Sequence, residues 1–199
     1  SVGNYLFEKV ENTKDKKIIG YYRSNFLENF LSKFNITSSM LRLGFHSILP
    51  LNNGIIGIQK NHIIFKKNNE LKFEKVFSDF NGSRPLNILQ CPNNNFFFGE
   101  YFSNVERKEV KIFKSSNIFD WEVAHTFKEG EIRHIHKLKY DCYRKGIWIL
   151  TGDLDKESGI WFTDDNFKTV NKVISFGQKS RAVDLLIFKN YLIFPMDSP

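Results

Sequence analysis

Apolar and polar residues alternate over short stretches along most of this chain, and no segment sustains a helical period, so the pattern predicts strands and few helices. Two successive stretches read most clearly. The first runs "LNILQCP", "NFFFGEY", "EVKIFKS" and "DWEVAHTF" between residues 86 and 127; the second runs "RHIHKLKY", "GIWILTG", "GIWFTDD" and "TVNKVISF" between 133 and 176. Asn, Gly, Lys and Asp clusters at the junctions supply the turns. Each stretch therefore predicts four antiparallel strands.

The strand pattern repeats. "FKKNNELKFEKVF" from Phe65, "FKSSNIFDWEVAHTF" from Phe113 and "FTDDNFKTVNKVISF" from Phe162 align, and Phe73, Trp121 and Val170 stand 48 and 49 residues apart. That period is the length of one four-stranded propeller blade. The expected fold is thus all-β: a β-propeller of four-stranded antiparallel blades, with repeats near 42–79, 84–128 and 133–176 and incomplete ones near 16–37 and 181–199. About four blades are covered, so the chain is expected to be part of a larger closed propeller, with closure by a second copy as the alternative.

The turn "TDDNFKTV" resembles the Asp-box of sialidase-like β-propellers, whose pattern is Ser/Thr-x-Asp-x-Gly-x-Thr-Trp. Thr163, Asp165 and Thr169 match it, while Phe167 and Val170 replace the Gly and the Trp. "KSSNIFDW" keeps Trp121 without the Asp, and "KKNNELKF" is more degenerate. "RHIH", "TGDLD", "RAVDLL" and "MDSP" are similar to stretches of bacterial propellers of that superfamily. The resemblance implies a structural turn between the third and fourth strands of a blade, with Trp121 expected in the core. The Phe-Arg-Ile-Pro motif of sialidases is missing, "SRPLN" at 83–87 being its nearest counterpart, and no Tyr/Glu pair carries over.

The stretch "EIRHIHK" (131–137) places a cation and two imidazoles where a packed strand would carry Val or Ile. In a blade, the start of the innermost strand and the end of the second strand share one face. Arg84, Arg133 and Arg181 open the innermost strands at spacings of 49 and 48, and Glu100, Asp153 and Asp197 close the second strands. Asn87, His136 and Asp184 each follow an Arg by three residues. The predicted site, an axial pocket, is therefore Arg84, Arg133, His134, His136, Asp153, Arg181, Asp184 and Asp197. Glu100 and Asp153 are the candidate acid and base if the chain is a glycoside hydrolase or lyase. The competing expectation is an ion-pair network inside a non-catalytic scaffold for protein–protein interaction.

Composition adjusts this picture only slightly. A net charge of +7 suits an anionic partner, but its Lys and Arg are dispersed and no aromatic-basic stacking surface is evident, so carbohydrate or another polar anionic ligand is expected rather than nucleic acid. His134 and His136 lie two apart and point the same way on a regular strand, yet no third ligand is identifiable, so no metal and no cofactor is expected. Cys91 and Cys142 sit at no metal-ligand spacing and read as structural thiols. No apolar run approaches the length that crosses a bilayer, which favours a cytoplasmic compartment and no membrane partner.

Overall fold

The computed structural model describes residues 4–9, 15–23 and 44–197. Most of the incomplete repeat at 16–37, the first two residues of that at 42–79, and the last two of that at 181–199 lie outside the described residues. The fold is all-β, built on four-stranded antiparallel sheets, and the only helical segment among the described residues is a short 3-10 turn, Gly177–Ser180.

The chain divides into two compact units, Ser1–Asp79 and Phe80–Pro199. In the first, β1 (Tyr5–Lys9) pairs with β2 (Lys16–Tyr21), and β3 (Ser47–Leu51), β4 (Gly54–Gln59), β5 (His62–Lys67) and β6 (Glu74–Phe77) form a four-stranded meander. Leu6, Ile64 and Phe73 make its core.

In the second unit, β7 (Leu89–Gln90), β8 (Phe96–Gly99), β9 (Val110–Ser115) and β10 (Glu122–Phe127) form one sheet in chain order. The next sheet is β11 (His134–Asp141), β12 (Gly146–Gly152), β13 (Gly159–Thr163) and β14 (Asn171–Ile174), and a hairpin of β15 (Leu186–Ile187) and β16 (Leu192–Ile193) follows. These strands lie where the alternating pattern places them.

Every residue of β12 is buried, because its sheet is covered on both faces. Ile147 and Ile149 face a core that includes Phe97, Ile112, Phe127 and Ile135, while Trp148 and Leu150 face Ala182 and Leu185. Each such fully buried side chain contributes roughly 1.5–3 kcal/mol of transfer free energy. The consequence for function is rigidity: the ends of β11 and β12 are anchored from both sides.

The turn after β13 is held by its own side chains. Asp165 accepts from the Thr169 backbone N–H at 3.0 Å and from the Thr169 hydroxyl at 2.7 Å, and Thr163 Oγ1 accepts from the Phe167 N–H at 3.2 Å. Phe167 stands where the turn pattern carries glycine, and its φ of 67° shows why glycine is favoured there. Packing against Phe97, at a ring separation of 5.3 Å, holds this buried phenylalanine in that conformation. In the turn after β9, Asn117 takes the role of the missing Asp, its Oδ1 accepting from the Phe119 and Asp120 N–H groups at 2.9 Å. Trp121 is half-buried rather than fully buried: its Nε1 donates to Ile118 O at 2.8 Å and its ring meets Phe98 edge-on at 5.0 Å.

Candidate functional site

The first residues of β11 and the residue after β12 form a charged cluster in the second unit. Pairing of His134 with Gly152 sets His134 beside the end of β12, where Asp153 follows. A register shift between Ile135 and Lys137 marks a bulge at His136. Ile135 and Leu138 then both reach the core although they are three residues apart. The bulge thus keeps the strand's apolar side chains inside while both imidazoles stay with the charged groups.

Asp153 is the hub. Its Oδ2 accepts from Arg133 Nη1 at 3.0 Å, and its Oδ1 lies 3.4 Å from Nε2 of both His134 and His136 and 3.5 Å from Arg181 Nη2. Arg181 Nη2 also donates to Asp197 Oδ2 at 3.2 Å. The isolated bridge between Ala182 and Met196 brings Arg181 and Asp197 face to face. Arg133, His134, His136, Asp153, Arg181 and Asp197 therefore converge.

The surroundings fix these side chains. Arg133 Nε donates to Ser103 O at 2.9 Å, and buried Asn104 donates to the Arg133 carbonyl at 2.8 Å. Gln178, from the 3-10 turn, donates to the Asp153 carbonyl at 2.8 Å. The Tyr101 ring lies 4.2 Å from that of His134. At Gly152 an added Cβ would stand 2.7 Å from His136 Cε1 and 3.1 Å from Arg181 Cγ, so the close approach of these two side chains requires glycine.

Electrostatics follow from burial and charge. Burial pushes the Asp153 carboxyl up, but attraction to His134, His136, Arg181 and Arg133 outweighs it and holds the group below the usual carboxylate range. His134 is shifted down, chiefly by burial and against the pull of the Phe102 carbonyl and Asp153.

Three residues of the sequence-predicted site stand apart from this cluster. Glu100 is fully buried, with Oε1 accepting from the Asn81 N–H at 2.7 Å and Oε2 from the Lys111 N–H at 2.8 Å. Burial shifts its pKa up. It braces backbone and exposes no oxygen to a substrate, which corrects its reading as the catalytic partner of Asp153. Asp184 instead pairs with Lys137 at 2.9 Å and Lys139 at 3.1 Å, and despite partial burial these lysines hold its carboxyl down to about 2. Arg84 is half-buried and joins none of the contacts described for the cluster.

Tyr101, Asn104, Gly152 and Gln178 were not singled out in the sequence. Only Gly152 left a signal there, as the glycine directly before a strand-terminal Asp. Elsewhere in this unit, a cleft of about 270 Å³ is lined by Cys91, Phe97, Tyr140, Asp164 and Phe167 among others. It contains none of the converging charged residues, and burial pushes the Cys91 thiol up to about 11, so that thiol stays protonated at neutral pH.

No family model matches the chain, and no curated protein matches it in sequence. Among solved structures the fold is similar to a chain of the nidogen/laminin complex, with a TM-score of 0.53 at 12% identity. The match covers 77% of this chain and 55% of that one, which is β-propeller-like there. At that identity the likeness is one of fold alone.

Proposed function

We propose that this chain is a region of a β-propeller that recognises a carbohydrate or a similar polar, anionic ligand through Arg133, His134, His136, Asp153, Arg181 and Asp197. The propeller reading is supported by the four-stranded meanders, their 48- to 49-residue period and the likeness of fold. The turn chemistry at Thr163, Asp165 and Thr169 is consistent with the sialidase-like, Asp-box kind of blade.

One observation carries the binding reading. Arg181 keeps 25% of its side chain exposed, beside Asp197 at 53%. A planar, partly exposed guanidinium suits a carboxylate, and Asp153 and Asp197 suit sugar hydroxyls. Because Glu100 is enclosed, recognition rather than hydrolysis or lysis is the function this geometry favours.

A glycan array bearing sialylated and uronic-acid sugars, followed by calorimetry on its hits, tests the reading. Arg181→Ala is expected to weaken binding by about 1.5–3 kcal/mol, the scale of a charged hydrogen bond, at unchanged fold. If the parent binds no glycan while Arg133→Ala and Arg181→Ala both unfold the chain, the cluster is an internal ion-pair network and the scaffold reading replaces this one.

A further inference from the structure

The two histidines have too few protons for their surroundings. His134 Nδ1 lies 3.0 Å from Phe102 O, and His136 Nδ1 lies 3.0 Å from Ala182 O. A carbonyl oxygen only accepts, so in both rings the hydrogen sits on Nδ1. In neutral imidazole this leaves both Nε2 atoms as bare lone pairs. Yet those atoms face each other at 3.1 Å, with Asp153 Oδ1 3.4 Å from each. Three electron-rich atoms in so small a triangle repel unless a cation lies among them.

We propose that His134 Nε2, His136 Nε2 and Asp153 Oδ1 form a divalent transition-metal site, best suited to Zn²⁺. The ligand atoms of this His–His–Asp group all lie within 4.8 Å of one another. A triangle with sides of 3.1, 3.4 and 3.4 Å has its corners about 1.9 Å from its centre, so an ion at the usual 2.0–2.2 Å from nitrogen and oxygen fits just off its plane. Three protein ligands leave a fourth tetrahedral position open.

Two further features point the same way. Carbonyls on both Nδ1–H groups fix the tautomer and ring orientation, as the outer partners of metal-bound histidines do. Arg133 occupies Asp153 Oδ2, which leaves Oδ1 turned to the imidazoles. A donor set of two nitrogens and one oxygen suits zinc or its neighbours rather than Ca²⁺ or Mg²⁺, which prefer oxygen.

The charges decide what fills the fourth position. Asp153 and Asp197 balance Arg133 and Arg181, so a divalent ion leaves the cluster positive. An anionic oxygen on the metal offsets that charge, with Arg181 beside it to donate a hydrogen bond. The site therefore takes a metal together with a carboxylate or phosphate. Neither this site nor the glycan reading requires the other.

The test is Zn²⁺ titration calorimetry on the EDTA-stripped chain, with Co²⁺ absorption as a second readout. One equivalent per chain, a strong visible band of tetrahedral Co²⁺, and at least a hundredfold weaker binding in Asp153→Asn and His136→Ala are expected. Asp153→Asn nearly preserves side-chain shape and guards against a mere folding defect, and His125→Ala is expected to bind as the parent does. Metal binding that survives Asp153→Asn unchanged, or no stoichiometric binding by a folded parent, overturns the proposal and leaves a proton shared between the two imidazoles as the cation. The two ideas separate by outcome: glycan binding by a parent that takes up no Zn²⁺ sinks only the metal site, and Zn²⁺ binding by a parent that binds no glycan sinks only the glycan reading.

Discussion

Replacing Gly152 by alanine adds one methyl group at the point where two site side chains cross. The new Cβ would lie 2.7 Å from His136 Cε1, inside any real carbon contact, and 3.1 Å from Arg181 Cγ. The imidazole has no free direction in which to yield, since Nδ1 is held by Ala182 O at 3.0 Å and the ring is buried. Overpacking of this kind costs about 1–3 kcal/mol, against roughly 0.5–1 kcal/mol regained because alanine loses less backbone freedom than glycine on folding. The net expectation is a loss of about 1–2 kcal/mol by denaturant unfolding. Ligand or metal affinity should fall by more than that stability loss implies, because the displaced groups are His136 and Arg181. Imidazole NMR signals report the displacement directly. A Gly152→Ala protein with parental stability and unmoved His136 resonances would refute the close packing on which the site is built.

Other changes probe the frame. Trp121→Ala should cost about 2 kcal/mol by denaturant unfolding, below the 3–5 kcal/mol of a fully buried tryptophan, because this indole is half-buried, and ligand affinity of the folded protein should not change. Glu100→Gln should destabilise by about 1–3 kcal/mol, since one of the two backbone N–H groups now held by the carboxylate would meet an amide NH₂, and it should leave ligand affinity untouched. Asp184, held down to about 2 by its lysines, contributes stability that is present above the ordinary carboxylate value near 3.9 and lost as pH falls towards 2. Its side chain is 45% exposed, so solvent screening limits this to under about 1 kcal/mol, and Asp184→Asn should flatten the acid limb of a stability–pH curve by that amount.

The strands were legible because alternation and turn residues are local signals, and the sheets of the second unit follow them closely. Convergence of Arg133, Arg181, Asp153 and Asp197 was legible for the same reason: strand starts and ends in a meander share a face. What the sequence hid was pairing in space. Glu100 occupies the same repeat position as Asp153, yet two backbone N–H groups consume it, and nothing in "GEY" against "GDL" reveals that. The bulge at His136 left a trace, since Ile135 and Leu138 stand three apart in a strand whose period is two, but the meeting of the two imidazoles with an aspartate 17 and 19 residues further on did not. Conversely, "KSSNIFDW" lacks the Asp of the turn pattern, yet the Asn117 amide oxygen caps that turn by accepting from the Phe119 and Asp120 N–H groups.

The most direct test of the binding site is imidazole ¹⁵N NMR during titration with an acidic sugar. His134 and His136 are the reporters, and His125, which packs against Phe127 away from the cluster residues, is the reference. A binding site at Asp153 predicts saturable shifts of the His134 and His136 Nε2 signals, a still His125, and loss of the response in Arg181→Ala. Saturable shifts confined to residues of the Cys91–Tyr140 cleft, or no shift with any ligand that the protein demonstrably binds, would contradict it.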